Sequence, residues 1–195
     1  MRRLAPLALL LALAACAATP PPPTATLPRV LTSGAQDPTR AAIFATAYGL
    51  NRGGIEGRAG EVAVLAARYE FLTVDLPWNP LFAGMPPLVG MQLEAGRAEL
   101  RRVLAIAPDA APQVVIDGLV AAAEALGGGR DAAAALPPEA FPEPATTLAR
   151  LAALPATPVA GRAAAAAQAG FWQMQNRGPR LWMTRAGSGA FRPGA

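Results

Sequence analysis

Acid–base work in this chain falls to carboxylates, because the side chains that most often do it are missing. There is no histidine, and all 17 basic residues are arginine, so there is no lysine either. That excludes a Ser–His or Cys–His couple, an imidazole base, a histidine-ligated metal or haem, a Ser–Lys dyad and a Schiff base. The only serines are Ser33 and Ser188, outside the helical core predicted below, and the one thiol is Cys16. Neither phosphate-loop nor dinucleotide glycine spacing occurs. Gly127-Gly128-Gly129 follows an apolar period instead of opening one, which is the place of a helix C-terminus. No cofactor and no metal site is expected. What survives is a carboxylate mechanism such as glycan cleavage, which needs one or two acids in a cleft. Glu70 is the candidate catalytic acid: on a helical wheel it falls between two apolar faces, where desolvation would raise its pKa. The other reading of Glu70 is structural, with an arginine paired to it or the carboxylate reaching solvent at a groove edge. Glu94, Arg97, Glu99 and Arg102 have the i,i+3 spacing of surface ion pairs.

A second chemistry belongs to the N-terminus. Met1-Arg2-Arg3 is a short positive start, and Leu4 to Leu13 is an apolar run too short to span a bilayer as a helix. Its end, Leu13-Ala14-Ala15-Cys16, resembles the lipobox of bacterial lipoproteins. The resemblance covers residues 1–16. It implies export by general secretion, removal of residues 1–15, a diacylglyceryl group on the Cys16 sulfur and acylation of the new amino terminus. Several acyl chains anchor stably where one is marginal. Ala17-Ala18 in place of an aspartate after the cysteine implies the outer membrane, with the protein facing the periplasm. The partners expected are the membrane, through the lipid, and an envelope protein or an anionic envelope surface. Without Arg2 and Arg3 the chain has fifteen arginines against thirteen acids, too small an excess to argue for nucleic acid.

Such a leader needs a spacer and a body. Residues 16–36, with Pro20 to Pro23 and Pro28, predict a lipidated, stiffly extended tether. Residues 37–177 predict a single all-α domain, an alanine-rich bundle of about five to seven helices. Asp37-Pro38 supplies a cap and a first-turn proline for a helix to Leu50. A second helix spans Gly57 to Leu76, with Val62, Leu65, Ala66, Tyr69, Leu72 and Leu76 on one face and Val64, Ala67, Phe71 and Val74 on the other. A helix apolar on two sides belongs at the centre of its domain. Pro87 opens a third, to Ile106, with Val89, Leu93, Gly96, Leu100 and Leu104 inward and Glu94, Arg97 and Arg101 outward; Gly96 would let a neighbouring backbone come close. Pro112 opens a fourth, with Val115, Leu119, Ala122 and Leu126 inward and Gln113, Asp117 and Glu124 outward. Shorter helices over Arg130 to Leu136 and Thr146 to Leu154, and a long one over Val159 to Arg177 with Ala160, Ala164, Ala167, Phe171 and Met174 inward, complete the set.

Leu104 to Asp109, the helix after it, and Gly129-Arg130 before an alanine-rich segment resemble a tetratricopeptide-type junction over about 35 residues; no second copy stands at the period of about 34 that an array requires. The connector from Pro77 to Pro86 is long and apolar. Trp78, Phe82 and Met85 there are candidate binding residues for a partner or an amphiphile, or a plug for the bundle end. Residues 178–195 predict a basic tail: from Arg177 onward there are four arginines and no acid, and Trp182 is a candidate to insert into or stack on an anionic surface. The expected function is that of a membrane-tethered periplasmic lipoprotein with a helical binding or scaffolding domain. The alternative is a carboxylate-dependent, peptidoglycan- or glycan-active enzyme.

Overall fold

The structure, a computed structural model, describes residues 24–32, 34, 37–52 and 57–176. Cys16 and its lipobox, the first part of the tether and the tail with Trp182 lie outside the described residues. Every regular element among the described residues is helical: α1 (Arg29–Thr32), α2 (Pro38–Arg52), α3 (Ala59–Asp75), α4 (Pro87–Val103), α5 (Pro112–Gly127), α6 (Pro144–Ala152) and α7 (Pro158–Asn176), with a single 3₁₀ turn at Pro80–Phe82. The all-α bundle is as the periodicities require.

Proline opens five of these helices, at Pro38, Pro87, Pro112, Pro144 and Pro158. There its missing N–H costs nothing and its fixed φ suits the first turn. Asp37 caps α2 as expected, its carboxylate accepting the Arg40 N–H at 2.7 Å. Glycine stops α5: the Gly128 N–H bonds the Glu124 carbonyl, and Gly129 takes a φ of 64°.

α3 is the hub, packed against α2, α4, α5 and α6, while α7 closes the bundle on α2 and α4. Both of its apolar faces are covered; among the ten residues assigned to them only Val64 is half-exposed. The bundle closes tightly where side chains are small. Ala160, Ala163, Ala164 and Ala167 of α7 are buried, and Gly96 of α4 faces them. A Cβ built on Gly96 would overlap the Tyr69 hydroxyl and stand 2.8 Å from the Ala160 Cα.

Four expectations need correction. Arg101 does not point outward; it is 4% exposed, because its long side chain reaches around α4 to a buried carboxylate on α3. Leu126 is 38% exposed instead of inward, since it sits in the last turn of α5, beside a groove. Arg130 to Leu136 forms turns in place of a helix; the Asp131 carboxylate bonds the Ala133 N–H at 2.9 Å, and so short a segment before Pro137 cannot repay helix nucleation. α4 ends at Val103, before Ile106, because Ala105 turns to a φ of 55°.

The tether region also reaches further onto the body than its composition suggests. Ala25, Leu27 and Leu31 pack on the core. The Thr26 N–H donates to Gln113 Oε1 at 2.8 Å, and Gln113 Nε2 donates back to the Thr26 carbonyl at 3.2 Å.

Candidate functional site

Glu70, the carboxylate singled out by its chemistry, is 4% exposed on α3. Arg101 donates to both of its oxygens, from Nε at 3.2 Å and from Nη2 in a closer contact, and Arg97 Nη1 lies 3.7 Å away. Burial pushes the Glu70 carboxyl above its usual range, against the pull of the Arg101 hydrogen bonds and the charges of both arginines. The rise expected from desolvation is therefore present. What accompanies it is the geometry of an arginine pair: both oxygens are occupied by Arg101, and the nearby acid that adds to the rise, Glu94, is itself paired with Arg97. The remaining Arg101 nitrogen, Nη1, donates to the carbonyls of Pro108 and Ala110 at 2.8 and 2.9 Å. The cluster fastens α3 to the turn between α4 and α5. Removing a buried pair from water is expensive, so its contribution is to fix that turn in one place more than to add net stability.

The acids read as surface pairs divide. Glu94 pairs with Arg97 at 3.1 Å, as spacing implies. Glu99 instead accepts the Ala160 N–H at 2.8 Å and so caps the first turn of α7 from another helix. Nothing in local spacing could have revealed that bond, which joins residues 61 apart.

Of the connector's three candidates, Phe82 and Met85 line one hollow and Trp78 lies apart in another. Phe82 is buried, its ring 6.3 Å from that of Phe171, and plugs the bundle end. Met85 is half-buried near Gly170. Trp78 stands 65% exposed.

A feature missed in the sequence is larger than any of these. A groove of about 940 Å³ runs between α2, α3 and α5, with Val30 and Leu31 of α1 at its margin. Ala45, Gly49, Val64, Leu65, Val120 and Ala123 give it an apolar floor, and Arg58, Glu61, Arg68 and Glu124 a charged border. Arg58 and Glu61 are bonded to each other at 2.8 Å. α3 and α5 meet at the base, where an added Cβ on Gly60 would stand in ordinary contact, 3.6 Å from the Ala123 carbonyl. Arg68 differs from its neighbours. It makes no ion pair among the described residues, and partial burial lowers its pKa from the usual arginine value. A half-buried guanidinium with no ion pair among the described residues, beside apolar walls, suits an apolar ligand that carries an anionic group. A sequence signal did exist: Val64 lies on the second apolar face of α3, and the expected inward Leu126 is exposed at the groove. Periodicity alone could not say that this face is covered over only part of its length. Compared with protein-family models, curated proteins and solved structures, the chain finds no match.

Proposed function

We propose that this protein is a lipid-anchored component of the bacterial cell envelope, and that its helical domain is a non-enzymatic binding module. The groove between α2, α3 and α5 takes an apolar segment of a partner envelope protein, with an acidic group of that segment against Arg68. The anchor rests on Leu13-Ala14-Ala15-Cys16. The binding role rests on the groove, whose volume of about 940 Å³ lies at the upper end of ligand sites. Its character is supported by the chain's own use of the neighbouring surface: residues 24–31 lie along the domain there, with Ala25, Leu27 and Leu31 against the core, and end at the groove margin. A surface that accepts one short segment with apolar side chains is suited to accept another.

The test is a photo-crosslinking amino acid at Ala123, within the groove, and at exposed Arg102, away from it, in the full chain expressed in its native envelope. The expected result is a protein adduct from position 123 that is lost with Val64→Glu, and none from position 102. Equal adducts at both positions, or no adduct at 123, would overturn the groove as a binding site; a lipid adduct at 123 would replace the protein partner with an amphiphile. The anchor is tested separately, by the mass of the mature N-terminal peptide: Cys16 should carry acyl chains, and Cys16→Ala should release the body from the membrane or leave it uncut.

A further inference from the structure

The C-terminal end of α3 differs in chemistry from the rest of the surface. From Leu76 to Leu93 there is no charged residue, yet much of this stretch is at the surface. Trp78 is 65% exposed, Leu81 71%, Leu88 60% and Met91 71%. These residues share one end of the bundle. Leu81 sits in the 3₁₀ turn Pro80–Phe82, and Leu88 and Met91 are one turn apart at the start of α4. Pro77, Pro86, Pro87 and Gly90 line a common shallow hollow that joins the two segments. Scattered exposed apolar residues need no explanation, but an uncharged stretch of chain with several of them, bordered by Asp75 and by the first turn of α2 with Arg40, marks an interaction surface.

Chain length decides what covers it. Thr24 and Ala25 line a hollow together with Asp75, Trp78, Asn79 and Pro80, so the first described residues lie beside this end. Cys16 precedes Thr24 by eight residues, and a chain extends at most about 3.6 Å per residue, which limits the separation to roughly 29 Å. α3, with 17 residues, is itself about 25 Å long at 1.5 Å per residue. A lipid on Cys16 therefore keeps the Trp78 end within about one domain length of the bilayer. The other exit agrees. Met174, in the last turn of α7, packs over Gly84, where an added Cβ would meet its Cγ at 3.0 Å. The chain thus leaves α7 at the same end, towards Arg177, Arg180, Arg185 and Arg192, with no acidic residue in between.

We infer that this end of the domain is seated on the bilayer that holds the lipid anchor, with Trp78, Leu81, Leu88 and Met91 in the headgroup region. The inference rests on the lipidation reading above. Trp is favoured at that depth because one edge of the ring is apolar and the other can hydrogen-bond.

The experiment uses the full mature chain, with Cys16 acylation verified by mass, carrying Trp172→Phe and Trp182→Phe so that Trp78 is the only tryptophan. It is reconstituted into vesicles of phosphatidylethanolamine and phosphatidylglycerol with bromine on the acyl chains near the headgroups. Trp78 emission should fall about twofold relative to unbrominated vesicles, as expected for side chains roughly 5–10 Å into the headgroup boundary. A control chain with Trp78→Phe and Leu126→Trp, which reports from the groove, should keep its emission. Unquenched Trp78 in acylated protein overturns the inference and leaves the anchor standing. Unmodified Cys16 overturns both. Trp78 unquenched in vesicles but shielded from acrylamide in native envelopes assigns this face to a protein and likewise overturns the membrane seat.

Discussion

Gly96→Ala is a severe probe of how the bundle closes. The added methyl would coincide with the Tyr69 hydroxyl and sit 2.8 Å from the Ala160 Cα and 2.9 Å from Tyr69 Cζ. Tyr69 is fully buried and donates to the Leu93 carbonyl at 3.3 Å, so its ring has nowhere to move without losing that bond. The Ala160 atom is backbone, so α7 as a whole must shift by several tenths of an ångström. Overpacking a core typically costs about 1–3 kcal/mol, and loss of the hydrogen bond adds about 1 kcal/mol. Alanine in place of glycine inside a helix returns about 1 kcal/mol. A net destabilisation of about 2 kcal/mol is expected, read as a lower urea midpoint at unchanged slope by far-UV circular dichroism. Adding Tyr69→Phe removes the overlapping oxygen, so the double variant should lose less than the sum of the two singles. A neutral or stabilising Gly96→Ala, or strict additivity in that cycle, would refute the close approach of α4 and α7 over Tyr69.

Two other outcomes follow from buried ionisable groups. Arg101→Leu leaves Glu70 buried without its main partner and should destabilise by roughly 3–5 kcal/mol, whereas Glu70→Leu with Arg101→Leu should recover much of that loss; a single variant no less stable than the double would remove the pair as the fastening of the α4–α5 turn. Burial, reinforced by the negative charges of Glu99 and Glu94, pushes the Tyr69 hydroxyl above its ordinary value. Its folded pKa exceeds the unfolded value of about 10, so its contribution to stability is whole below that pH and is lost as the pH rises beyond it. In Tyr48→Phe, where Tyr69 is the only tyrosine, phenolate absorbance at alkaline pH should therefore appear together with loss of helix; its appearance in an intact helical spectrum would contradict the burial.

Readability in the sequence followed the range of the interaction. Asp37-Pro38, the two faces of α3, Gly96 on the buried side of α4 and the glycine stop after α5 are local patterns, set by capping, periodicity and backbone freedom, and they gave the elements and the hub. The misreadings each depend on a distant partner. Arg101 looks solvated until Glu70, 31 residues earlier, is placed beside it. Glu99 looks like half of a surface pair until the start of α7 arrives. Residues 24–32 have the composition of a spacer, yet Gln113, 87 residues away from Thr26, bonds them to the body, and Ala25, Leu27 and Leu31 pack on its core. The groove is of the same kind. Val64 belongs to an apolar stripe that its sequence says should be covered, and no local pattern records that the cover stops short.

The two proposals constrain one another through α3. The groove is built on its N-terminal half, from Ala59 to Arg68, and the uncharged stretch of chain lies past its C-terminus, from Trp78 onward. If the Trp78 end is seated on the bilayer, the helix holds the groove about 10–25 Å above it at 1.5 Å per residue, with Arg58, Glu61, Arg68 and Glu124 turned to the aqueous side. Residues 24–32 then have a second role beyond spacing. Lying from the Trp78 hollow to the groove margin and held at Gln113, they fix the point at which the chain leaves the domain, eight residues after Cys16. The height of the binding surface would thus come from a short leash and a docked strap, with no need for a long rigid spacer.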